Sequence, residues 1–283
     1  MKKEQGHGDH IGAIMEPRDF LVNHLPGLIQ EGKELHSCRT QVVSESVDGE
    51  TTEVYSIFNR DDDVTWVALV AVGVKERINE FVSCYPLLDP VERVKAKITE
   101  VGEWENMIEA TITCEVDGDD DECEGRELSF FATDYAWNKA KYTIGEYLYL
   151  DLAAIAYSAR EGQRGFSFEG QEAVDFLAKT GSEPDYDENG NVMPVHFNME
   201  NLVAFLNHNG DYPDDVEFQS PIGNITKIGT VGVDLYRCEM LFKHDPDRKL
   251  SLYFKREFIP EPTEGMPVMG VLWLQGHISE NQE

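Results

Sequence analysis

The stretch of this 283-residue chain best suited to chemistry is Asp185-Tyr186-Asp187-Glu188-Asn189-Gly190-Asn191-Val192. It follows D-x-D-x-N-G-x-aliphatic, the opening of a calcium loop, in which alternate oxygens converge on a hard cation and glycine permits the sharp turn. Asp185, Asp187, Asn189 and Asn191 are therefore candidate ligands, and Ca2+ is the one cofactor suggested. The position where a closing glutamate belongs holds His196, and Pro184 and Pro194 bracket the loop. An Asn-Gly turn accounts for the same residues without an ion.

A second constellation is Lys243, Arg248, Lys249, Tyr253, Lys255 and Arg256, the most basic stretch of an acidic chain. Cations interleaved with aromatic residues on a strand suit single-stranded nucleic acid, where phosphates meet lysine and arginine while bases stack. The facing loop of the other half of the chain, 117–124, carries carboxylates instead. Motifs for phosphate loops, dinucleotide binding, serine nucleophiles and zinc proteases do not occur, and the eight histidines are scattered. On these grounds we expect no enzyme.

Charge narrows the partners. With 54 acidic and 24 basic residues the formal charge is −30, which opposes duplex DNA unless a basic stripe overcomes the field. Three functions follow in order: a binding or adaptor protein for a protein partner or a second copy of itself, a single-strand nucleic-acid binder, and an acidic DNA mimic. Five cysteines without a C-x-x-C pair suggest reduced thiols. The polar start has no signal-like apolar segment and no run is long enough to span a bilayer, so the expected location is cytoplasmic, away from membranes.

The positioning elements are read from periodicity. After a loose terminus over 1–15, a helix bearing Phe20, Leu21, Leu25 and Leu28 is bent at Pro26. Strands over 38–46, 51–58 and 64–72 form a meander, and a second helix is expected over 75–84, completing an α+β unit over 16–90. Beyond it, Cys114-Glu115, a loop and Arg126-Glu127-Leu128-Ser129 return as Cys238-Glu239, a loop and Arg248-Lys249-Leu250-Ser251. Ile98 aligns with Ile222, and Gly145 with Gly265. This internal repeat predicts two β modules, 91–170 and 215–283, whose strand order resembles an OB-fold barrel. A sandwich of both copies is the alternative packing.

Within each module alternation predicts one core face and one wet face. Ile108, Ala110, Ile112 and Cys114 face inward, with Glu109, Thr111, Thr113 and Glu115 outward. Leu250, Leu252 and Phe254 face inward, with Ser251, Tyr253 and Lys255 outward. The repeated cysteines read as small core residues. Between the modules, 171–214 reads as a helical insert with helices over 171–179 and 198–207 around the acidic turn. The fold class expected is thus α+β, mainly β, with two duplicated OB-like modules and a helical insert.

Overall fold

The structure, a computed structural model, describes residues 10–43, 48–72, 79–116, 127–208, 212–242 and 245–280. It is a mixed α+β, mainly β fold with a four-stranded sheet, a two-stranded ribbon and a nine-stranded mixed sheet.

The chain enters through α1 (Pro17–Asn23) and α2 (Leu25–Glu31), the break falling just before Pro26. A proline in the first turn of a helix lacks only an N–H that has no intrahelical partner there. The four-stranded antiparallel sheet follows as β1 (Lys33–Val43), β2 (Asp48–Asp61), β3 (Val64–Val72) and β4 (Asn79–Leu87), in that order. Of the expected helix over 75–84, residues 75–78 lie outside the described residues and 79–84 are strand, because β3 is apolar on both faces and its second hydrogen-bonding edge also needs a partner. β4 supplies that edge, with a register shift at Leu69/Val70. The start of the chain is also better packed than its polar sequence suggests. His10, Ile11, Ala13 and Ile14 are buried, and the His10 ring lies 4.3 Å from that of Trp273.

The large sheet is built from β5 (Arg93–Glu103), β6 (Ala110–Val116), β7 (Glu127–Ala132), β8 (Tyr147–Glu161), β11 (Ala204–Asn207), β12 (Asp215–Thr230), β13 (Val233–Phe242), β14 (Asp245–Lys255) and β15 (Pro267–Ile278). Its order is β11-β12-β13-β14-β8-β15-β7-β6-β5, with β5 also meeting β8 and β12 also meeting β15. Between β7 and β8 lie the short helix α3 (Tyr135–Asn138) and one 3-10 turn. Between β8 and β11 lie β9 (Gly165–Phe168), α4 (Gly170–Thr180) and β10 (Val195–Asn198).

This topology overturns the two-module expectation. The last strands of the two halves, β8 and β15, pair antiparallel from Val268↔Glu161 to Ile278↔Leu150 and merge both halves into a single sheet, not two OB-like barrels. One continuous core runs from Val94 to Ile278 and draws on strands of both halves. The halves are not register-identical repeats either: Ile98 lies opposite Cys114, whereas its aligned residue Ile222 lies opposite Met240. Locally, Gly145 N–H donates to Ile98 O and Gly265 N–H to Ile222 O, each over 2.8 Å and each from a glycine at positive φ. Left-handed backbone there costs glycine no Cβ clash.

The expected wet face is also corrected. Glu109, Thr111, Thr113, Ser251 and Tyr253 are buried. The cause is a second core, in which Trp66, Leu69 and Tyr85 of the N-terminal sheet pack with Phe131, Ile155, Tyr253 and Trp273 of the large sheet. A strand covered on both faces buries its polar positions too. Glu109, Thr111, Thr113 and Tyr253 take side-chain hydrogen bonds there, whereas Ser251 Oγ is buried without one among the described residues. Cys114 and Cys238 are buried on the inner face. Burial pushes the Cys114 thiol up to about 12 and that of Cys238 higher still.

Candidate functional site

The segment between β8 and β11 differs from the rest of the molecule in how little it buries. Its ribbon pairs β9 with β10 antiparallel, from Gly165↔Asn198 to Phe168↔Val195. Gly165 is required there, since a Cβ would run into the Phe197 carbonyl oxygen. Three phenylalanines of this ribbon and one of α4 form a small cluster. Phe166 stacks on Phe197 at 4.7 Å, Phe168 stacks on Phe176 of α4 at 4.9 Å, and Phe176 meets Phe197 edge-on at 5.2 Å. α4 forms because Ala173, Phe176 and Leu177 recur at helical spacing. It stops at Gly181, whose left-handed backbone lets its own N–H and that of Ser182 close onto Leu177 O.

A two-stranded ribbon and one helix cannot enclose four aromatic rings. Ala173 is the buried residue of α4. Phe166 remains 43% exposed, Met193 50% and Leu206 63%, and Tyr186 and Leu202 are exposed too. Residues 163–207 carry eight acidic and two basic side chains. Of the two, Arg164 is held by Glu161 at 2.9 Å and Glu200 at 3.5 Å. The segment thus combines exposed apolar and aromatic side chains with an excess of carboxylates.

The second helix expected here, over 198–207, is absent. β10 ends at Asn198, and Ala204–Asn207 instead forms the edge strand β11 on β12. The apolar residues Val203, Phe205 and Leu206 fit either period, and the open edge of β12 offers hydrogen bonds that an isolated short helix lacks.

The calcium-loop residues lie at the tip of this segment in a tight turn. Asp187 Oδ1 accepts from the N–H groups of Asn189 (2.9 Å) and Asn191 (2.8 Å), and Oδ2 from Asn191 Nδ2 (3.1 Å). These donors hold the Asp187 carboxyl below its ordinary pKa, the Asn191 N–H foremost. A Tyr186↔Val192 bridge and Met193 N–H to Asp185 O at 2.8 Å close the loop. The Asp187 carboxylate is thus engaged with the loop's own donors. Among the described residues no group of three or more histidine, cysteine, aspartate or glutamate side chains is gathered for a metal.

The basic stretch is dispersed. Tyr253 is 2% exposed, its hydroxyl accepting from Asp89 N–H at 3.2 Å, and burial raises its pKa to about 12. Lys249 pairs with Glu239 at 2.7 Å, Lys255 with Glu257 at 3.4 Å, and Arg256 with Asp234 at 3.4 Å. Arg248 lies on β14, and Lys243 and the 117–124 loop fall outside the described residues. Among the described residues the aromatic ring beside these cations is the half-buried Phe258, 5.1 Å from Lys255 Nζ, and not Tyr253 as an exposed platform. The phenylalanine cluster was missed in the sequence, although Phe166-Ser167-Phe168 and Phe197 in a glycine-punctuated, acidic stretch were its visible signal.

Comparison with protein-family models, with curated proteins and with solved structures finds no match. No helix among the described residues is long and apolar enough to cross a membrane.

Proposed function

We propose that this is a non-enzymatic binding protein that docks a polypeptide segment bearing both basic and apolar side chains on the 163–207 surface. The observation that carries the reading is the exposure of Phe166, Met193 and Leu206 in the same stretch of chain as a partly covered phenylalanine cluster. Exposed apolar side chains gathered in one segment favour an interaction site, and the segment's excess of carboxylates favours a cationic partner. The chain's charge of −30 adds long-range attraction for the same partner. A cytoplasmic setting is part of this proposal, supported by the free thiols of Cys38, Cys84, Cys114 and Cys238.

The test is fluorescence anisotropy with three labelled peptides: an amphipathic Lys/Leu helix, its Lys/Ser analogue and its Glu/Leu analogue. Saturable binding of the Lys/Leu peptide alone, weakened at least about tenfold by Phe166→Ser/Leu206→Ser, supports the docking surface. Equal binding of the Lys/Ser peptide, or indifference to the double substitution, would overturn it. Sedimentation over a concentration series detects self-association as the competing outcome.

A further inference from the structure

A second concavity lies far along the chain from the insert, where the N-terminal sheet meets the large sheet. It is a half-open cleft of about 1070 Å³, at the upper end of the size of small-molecule sites. One wall is aromatic. His36 stacks on Trp137 with ring centres 4.8 Å apart and planes within 8°, and Phe58 meets both edge-on, at 5.7 and 5.8 Å. The same lining carries carboxylates: Glu146 and Glu280 are exposed, and Asp151 is partly buried beside His277 Nε2 at 3.6 Å.

The floor is rigid. The buried Asp134 carboxylate accepts from Tyr142 Oη at 2.5 Å, Asn138 Nδ2 at 2.8 Å and Ile278 N–H at 3.1 Å, tying α3, which carries Trp137, to the end of β15. Among the described residues of the lining Lys141 is the one lysine and there is no arginine, so acids outnumber these bases. Aromatic faces attract cations through the ring quadrupole, and carboxylates in the same lining add direct charge.

We propose that this cleft binds an organic cation with a compact apolar or aromatic body, of the arylalkylamine or quaternary ammonium class. Anions are disfavoured by the carboxylates, and a neutral ligand would forgo both attractions. This site is independent of the insert surface and stands or falls separately from it.

The probe is benzyltrimethylammonium, titrated into the full chain while the tryptophan indole N–H signals are followed by NMR, with benzoate as the anionic control. Trp137 is assigned by Trp137→Phe. The expected result is a saturable shift of the Trp137 signal with the cation and none with benzoate. Asp151 contacts His277, so its replacement risks the fold. The charge requirement is instead tested with Glu146→Gln/Glu280→Gln at exposed positions, expected to weaken binding about tenfold. A benzoate shift equal to the cation's, a shift confined to other tryptophans, no saturable shift at all, or an unaltered affinity in the double variant would each overturn the proposal.

Discussion

The indole N–H of Trp66, on the N-terminal sheet, donates to Thr230 Oγ1, at the end of β12, over 2.8 Å in a buried setting. The same turn is held from below. Asp61 Oδ2 accepts from Thr230 Oγ1 at 3.2 Å and from the Val231 N–H, while Asp63 N–H donates to Gly229 O at 3.1 Å. One hairpin tip is thereby docked on another, and the two sheets share the core beneath them. Thr230→Val keeps the shape but leaves the indole N–H buried without its acceptor. It should cost about 1–3 kcal/mol in denaturant unfolding, with Thr230→Ser close to the parent.

Glu109 provides a pH test. It is buried, accepts from Ser83 Oγ at 2.6 Å and Asn106 Nδ2 at 2.5 Å, and burial raises its pKa from 4.5 to about 7. Between those values the folded chain keeps a proton that the unfolded chain has released. The contribution is complete below pH 4.5 and declines as pH rises to about 7. Its size is roughly 3 kcal/mol. Glu109→Gln should flatten this decline, seen as a smaller drop in Tm between pH 5 and pH 8 than the parent shows.

Two glycines predict opposite outcomes. Gly270 lies in β15 between β12 and β8, and a Cβ there would strike the Ser158 backbone carbonyl. Gly270→Ala should destabilise the chain by about 2–3 kcal/mol, because backbone cannot move aside as a flexible side chain does. Gly27, inside α2, has open space around it. Gly27→Ala should stabilise by about 0.5–1 kcal/mol, measured in the same unfolding series.

The insert should fail locally. Phe197 touches Phe166, Phe168 and Phe176, and among the described residues neither of the two hydrophobic cores includes these rings. Phe197→Ala should open residues 163–203 to limited proteolysis while leaving the main thermal transition in place, since the large core contains none of these rings.

The sequence by itself determined the elements whose signals are local. The Pro26 break between two helices, the strands around Val54 and Val64, the helix ended by Gly181 and the inward cysteines Cys114 and Cys238 were all legible, because propensity, turn chemistry and alternation act over a few residues. Tertiary structure alone decided the pairing of β8 with β15, which turned two expected modules into one sheet. It also made strands of 79–87 and 204–207, where an open sheet edge outweighed an ambiguous apolar period. The candidate sites divide along the same line. Asp185 to Asn191 form a turn, as the Asn-Gly pair permits, whereas Tyr253 was read as an exposed stacking residue and is buried. Alternation tells which residues share a face of a strand. Whether that face meets water depends on the second layer, here the N-terminal sheet, which reaches Tyr253 from more than 160 positions away through Asp89.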